Sequence, residues 1–242
     1  MNNIINLITS NLLTLFIVGF FLIIIIGAIR KRKQQTNGQA GTSADYSGNT
    51  GGVSWTLRSV VRKVASQRGR TSWHRSASWR TDGVRMPAGK FIMIMSTPED
   101  MNNSNRQIKR GGFLNDLINK AADFALDFYV SGYFGDSYRS LINIGTEGVK
   151  IERPELKDFF ILTNNEPLAS KYFDANTAAT ISTWKSTNHG FAGEGKVDQF
   201  GLLFSPDGVI LTCQTNMTNP QEVKMFSDFG AVLAVRMQSV IS

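Results

Sequence analysis

The eighteen residues from Leu12 to Ile29 carry no charge, and Thr14 is the one clearly polar side chain among them. No other stretch constrains the chain so tightly. As an α-helix it would reach about 27 Å, close to the hydrocarbon thickness of a bilayer. Lipid offers backbone groups no partners, so a helix is the conformation required. Leu12, Phe16, Phe20, Ile24 and Ile29 mark its length. A core helix of this size would show a polar face, and this one shows none. A cleaved signal peptide would place its cations before the apolar run. Here no charged side chain precedes the run, and Arg30, Lys31, Arg32 and Lys33 follow it. The expectation is a retained single-pass anchor over residues 1–33, with the lipid bilayer as its first partner. Cations flanking a span stay on the cytoplasmic side. Met1 is therefore expected outside the cell (inner or plasma) membrane, and the chain beyond Arg30 in the cytosol. Cys213 is the single cysteine, as suits a reducing compartment.

The net charge of +7 is unevenly spread. Through Arg110 there are sixteen Lys and Arg against four Asp and Glu; from Gly111 onward there are ten against fifteen. The basic half is the one nearest the anchor. Anionic lipid headgroups attract such segments, and nucleic acid is the other polyanion that could.

Residues 34–54 are Gly, Ser, Thr, Asn and Gln with little apolar content. They read as a flexible linker spanning roughly 25 Å as a random coil. The cytosolic domain is then residues 55–242, divisible into 55–100 and 113–242. In Trp55–Ala65, Leu57, Val60, Val61 and Val64 fall at helical spacing with Ser54 as N-cap, which predicts a short helix closed by 66–71. Trp73–Trp79 and Val84–Met95 read as a hairpin or small meander, with the strongest strand signal in the apolar run after Lys90. After a polar connector at 97–112, Phe113–Val130 is an amphipathic helix with Asp116, Asp123 and Asp127 beside its apolar stripe. Tyr138–Ile144, Gly148–Ile151 and Phe159–Thr163 read as strands. Asn165-Glu166-Pro167 opens a helix, and Asp174 or Asn176 caps another through Trp184. Pro206-Asp207-Gly208 between apolar runs is a hairpin turn. Asn219-Pro220 starts a last helix whose buried side is marked by Phe226, Phe229, Val232, Leu233 and Arg236 or Met237. The expected class is α+β: one N-terminal transmembrane helix, a flexible linker, then helices packed on a largely antiparallel sheet.

Few residues suggest chemistry. His74 and His189 lie far apart in sequence without ligand-spaced neighbours, so no metal site is implied. Cys213 ends an apolar strand and reads as a small buried hydrophobe. Gly190–Gly195 lacks the spacing and the strand-to-helix context of a phosphate cradle. No cofactor follows. The most suggestive cluster is Trp55, Arg62, Trp73, Arg75, Trp79 and Arg80, since indole favours the headgroup layer and Arg pairs with phosphate. The expectation is a non-enzymatic, membrane-tethered binding or scaffold domain, docking on anionic headgroups or a protein partner. A membrane-held nucleic-acid-binding module is the alternative. An enzyme built on Gly190–Gly195, Cys213 and His189 is a third.

The anchor with its Arg30–Lys33 stop, the Asp82-Gly83 turn ahead of the Lys90–Ser96 strand, the Phe159–Leu162 strand and the Pro206-Asp207-Gly208 hairpin together resemble, in pattern, uncharacterised bacterial membrane-anchored proteins. Those have one N-terminal helix and a cytosolic α+β domain. The resemblance implies that architecture and no particular activity.

Overall fold

Gly51 and Gly52 hold positive φ values of 60° and 82°, the backbone that a two-residue hairpin turn demands. They join the first two of seven strands in one sheet. The structure, a computed structural model, describes residues 39–65, 71–96, 130–141, 153–192 and 196–242. Contacts group the chain into two compact units, residues 1–40 with 63–73, and residues 41–62 with 74–242. Of the first, only 39–40, 63–65 and 71–73 are among the described residues, all of them extended backbone.

The strands are β1 (Gln39–Thr50), β2 (Val53–Ala65), β3 (Thr71–Thr81), β4 (Ile92–Ser96), β5 (Phe159–Thr163), β6 (Lys196–Ser205) and β7 (Gly208–Gln214). Their order across the sheet is β1-β2-β3-β7-β6-β4-β5. The pairings β3–β7, β7–β6, β6–β4 and β4–β5 are all antiparallel. Among the described residues, α1 (Glu166–Tyr172) and α2 (Ala175–Ser186) lie between β5 and β6, and α3 (Pro220–Ile241) follows β7.

Each helix start has a chemical cause. Asn165 accepts from the Leu168 amide, Asp174 from Thr177 and Asn219 from Glu222, which satisfies orphan amides of the first turn. Proline stands in the first turn of α1 and α3, where its missing N–H costs nothing.

Side chains alternate across a strand, and here both faces of β4–β7 are covered. On one face Ile92, Ile94, Leu202, Phe204, Leu211 and Cys213 meet α1, α2 and α3 through Tyr172, Ile181, Phe226 and Leu233. On the other, Met93, Met95, Leu162, Leu203 and Ile210 meet Val130 and Phe134 of a helical turn, with Tyr138 and Leu141 of the 3-10 turn Asp136–Leu141 against them. β1, β2 and β3 differ. Val53, Leu57, Ala77 and Trp79 join the helix-side core, while Thr56, Arg58, Arg62 and Arg80 on the opposite face are exposed.

The α+β class holds, and the sheet is antiparallel in every pairing just named. Five expectations are corrected. Trp73–Trp79 and Val84–Met95 do not form a hairpin or meander, because β3 pairs with β7 while β4 pairs with β5 and β6. Val53–Ala65 is a strand, not a helix: Val53, Trp55 and Leu57 point to the core at period two, and the strand is held between β1 and β3. Gln39–Thr50, within the expected linker, is edge strand β1. Its polarity is tolerated because it covers little core, with Tyr46 packing inward. Tyr138–Leu141 belongs to a 3-10 turn rather than a strand. Val232 is 55% exposed, so the buried side of α3 is Phe226, Phe229, Leu233 and Met237. The anchor and its cationic collar, residues 34–38, 66–70, 97–129, 142–152 and 193–195 lie outside the described residues. So, therefore, do most of the expected Phe113–Val130 helix and the Gly148–Ile151 strand. Among the described residues, no helix is long and apolar enough to cross a membrane.

Candidate functional site

The Trp/Arg cluster expected as one surface is divided by strand alternation. Trp79 is fully buried; its ring lies against Gly230 of α3, where an added Cβ would stand 2.8 Å from it. Trp55 is half-buried on the same helix side of the sheet and donates Nε1–H to Thr50 Oγ1 at 3.1 Å. Arg75 is half-buried, and Trp73 is 52% exposed. Arg62 and Arg80 are exposed on the opposite face.

That opposite face is the more coherent feature. Alternation along β2 presents Ser54, Thr56, Arg58, Val60 and Arg62 there; along β3 it presents His74, Ser76, Ser78 and Arg80. Arg58 meets Asp45 at 3.8 Å, with both side chains largely in water, an arrangement worth little. Arg80 Nε donates to Ser78 Oγ at 3.4 Å. Burial, and then the nearby Arg62 charge, hold His74 below its usual pKa, so its ring favours the neutral form. The face is thus guanidinium groups set in hydroxyl side chains. The indoles of Trp55 and Trp79 point the other way, while the His74 ring lies on this face and Tyr138 borders it beside Thr56 and Arg80.

A second feature lies at the C-terminal end of α2. His189 stacks on Trp184 with ring centroids 3.9 Å apart, and Trp184 stacks on Phe229 at 4.1 Å and 5°. His189 Nε2 lies 2.7 Å from the Trp184 carbonyl. A carbonyl accepts only, so Nε2 carries the hydrogen and, in the neutral ring, Nδ1 is left as an acceptor. The loop beyond is tied down by Glu222. This carboxylate accepts from the Ala192 amide at 2.6 Å, the Thr218 hydroxyl at 2.9 Å, the Thr218 amide, and the Asn219 amide at 3.3 Å. Burial by itself would raise the Glu222 pKa, but these donors outweigh it and hold the group below its usual value. Asn219 and Glu222 form a capping box at the start of α3, a spacing that the sequence carries but that does not reveal the reach to Ala192.

Cys213 is buried, and desolvation pushes its thiol up to about 12. At neutral pH it is a thiol rather than a nucleophilic thiolate. His189 Nε2 is engaged by the Trp184 carbonyl at 2.7 Å. Among the described residues, no group of three or more His, Cys, Asp or Glu converges as a metal site would require. Comparison with family models, with characterised proteins and with solved structures returned no match to this chain. The functional reading therefore rests on the geometry itself.

Proposed function

We propose that this chain is a membrane-tethered, non-enzymatic binding domain whose β2–β3 face docks on anionic lipid headgroups. The observation that carries the reading is the exposed trio Arg58, Arg62 and Arg80 on a face that, among the described residues, the cover of residues 130–141 borders only where Tyr138 comes beside Ser54, Thr56 and Arg80. Guanidinium forks match phosphate oxygens, and Ser and Thr hydroxyls beside them supply further donors. The sequence supports the same address. Leu12–Ile29 has the length and composition of a span, with Arg30–Lys33 fixing its cytoplasmic end.

The extent of β1 sharpens the proposal. Only residues 34–38 separate Lys33 from Gln39. Even fully extended, that stretch reaches about 20 Å, so the start of β1 stays near the headgroup layer. A nucleic-acid ligand is less well served, because single-strand binding draws on stacked aromatic rings and the indoles of β2 and β3 near this face point away from it.

The test uses the buried native cysteine. A T56C variant of the full chain, reconstituted in nanodiscs, carries one reactive thiol on the face. Its labelling by a charged maleimide is expected to be several-fold slower with phosphatidylserine present than in phosphatidylcholine alone. High salt is expected to abolish the difference. Equal labelling in both lipids would sink the proposal, and protection by added oligonucleotide instead of by lipid would favour the nucleic-acid reading.

A further inference from the structure

From Gly41 to Thr50, β1 lies at one end of the sheet, and among the described residues no strand pairs with its outer side. Natural sheets guard such edges with short strands, Pro, Lys or a covering element. The opposite edge, β5, is five residues long. β1 has twelve residues, no Pro, no Lys or Arg, and Asp45 as its one charged side chain. That charge is turned toward Arg58 of the neighbouring strand. An unguarded row of N–H and C=O groups is a template for another strand.

The hairpin turn fixes which groups face outward. A two-residue turn at Gly51-Gly52 makes Thr50 and Val53 the closing hydrogen-bonded pair. Counting back from it sets Gly48 opposite Trp55 and Asp45 opposite Arg58, and both pairs do lie together. Hydrogen-bonded and non-hydrogen-bonded pairs alternate along an antiparallel ladder, so the even residues of β1 bond to β2. Ser43, Asp45, Ser47 and Asn49 therefore turn their N–H and C=O groups to the open edge. On the helix side the cover over β1 is incomplete. Tyr46 is half-buried beside a depression of about 440 Å³ between β1 and the N-terminal half of α3.

We propose that β1 pairs antiparallel with β1 of a second copy of this chain, with Tyr46 opposite Tyr46 at the two-fold axis. Residues opposite each other in a ladder lie on one face of the sheet, so each two-fold register sets one residue opposite itself. Asp45 on Asp45 would oppose like charges directly. Tyr46 on Tyr46 instead brings two half-buried rings together on the helix side and sets Asp45 opposite Ser47. The contact is isologous, so it closes at two copies and leaves no β1 edge open. Its axis stands along the sheet normal. Both copies therefore present Arg58, Arg62 and Arg80 to the same side, and two chains tethered in one bilayer need an axis of that direction. A strand from an unrelated protein gains nothing from this symmetry. The pairing itself engages β1 alone and does not require anionic lipid on β2 and β3.

The test is a distance between copies. The full chain carrying S54C is spin-labelled and measured by double electron–electron resonance in neutral detergent. Strand spacing and rise put the two residue-54 Cα atoms about 25 Å apart across the axis, and excess unlabelled chain is expected to remove the signal. S47P deletes an outward N–H and leaves the β1–β2 ladder intact, so it is expected to abolish the distance with tryptophan fluorescence unchanged. Amide hydrogen exchange in β1 of the wild type supplies a second measure, expected to slow several-fold as protein concentration rises. Changing Arg58, Arg62 and Arg80 to glutamate is expected to leave the distance in place, which separates failure of the pairing from failure of lipid docking. No distance near 25 Å, a distance that survives in folded S47P, or exchange in β1 that ignores concentration would overturn the proposal.

Discussion

Replacing Gly230 by alanine sets two known effects against each other. On helix propensity alone, the change at the middle of α3 would stabilise the protein by about 1 kcal/mol. The added Cβ, however, would lie 2.8 Å from Trp79 Cδ2 and 3.0 Å from both Cε2 and Cε3. Those atoms belong to a rigid, fully buried ring, not to the free end of a flexible chain. Overpacking of this kind costs about 1–3 kcal/mol, and the backbone of either α3 or β3 must give way. With a contact this close, the upper part of that range applies, and G230A is expected to destabilise by about 1–2 kcal/mol net. Urea unfolding of the full chain in mild detergent, followed by tryptophan fluorescence and circular dichroism, measures it. W79F makes room for the methyl group, so the double variant is expected to be more stable than the sum of the single changes by about 1 kcal/mol. G230A as stable as the wild type, or strict additivity with W79F, would refute the packing of α3 on β3 described here.

Other outcomes follow from single side chains. E222Q removes the charge that gathers Ala192, Thr218 and Asn219, and is expected to cost about 1–3 kcal/mol at pH 7. The sign with pH is fixed. The folded pKa of Glu222 lies below its unfolded value, so its contribution is complete above about pH 4.5 and is lost as pH falls through the folded pKa; the gap between wild type and E222Q in denaturation curves should close there. Cys213 is expected to resist a thiol reagent in the native protein and to react at once in denaturant, whereas native reactivity would contradict its burial. Ser59 Oγ both donates to the Met217 carbonyl at 3.2 Å and accepts from the Met217 amide at 2.9 Å, so S59A should lower stability by about 1–3 kcal/mol by orphaning both; a neutral result would mean that β2 is not held to the chain after β7.

The parts of the fold legible in the sequence are those whose signals are local. Asn165, Asp174 and Asn219 cap helices because a short side chain meets an amide three residues on. The Ser205–Gly208 turn was readable because Gly208 takes a φ of 124°. β1 and β2 were obscured by competing periods. Leu57, Val60, Val61 and Val64 satisfy a helical stripe, while Val53, Trp55 and Leu57 satisfy a strand, and only pairing with β1 and β3 decides between them. β1 looked like linker because its sequence is polar. Its place is set by close approach: a Cβ on Gly41 would fall 1.5 Å from the Val61 carbonyl oxygen, and one on Gly48 would fall 2.5 Å from the Trp55 ring. The Gly51-Gly52 pair between the two strands was the available sign of a hairpin. For the site, the sequence offered cations and indoles together, but which of them share a face depends on strand phase, and that phase followed only from the correct assignment of β2.

The central claim is that the β2–β3 face rests on anionic lipid, and the most direct measurement is a distance. A donor dye on T56C, with acceptor dyes on lipid headgroups, reports the approach of that face in nanodiscs holding the full chain. Energy transfer is expected to rise when phosphatidylserine replaces phosphatidylcholine, and to fall back when Arg58, Arg62 and Arg80 are all changed to glutamate. Transfer that ignores lipid charge, or survives the triple charge reversal, would contradict the account.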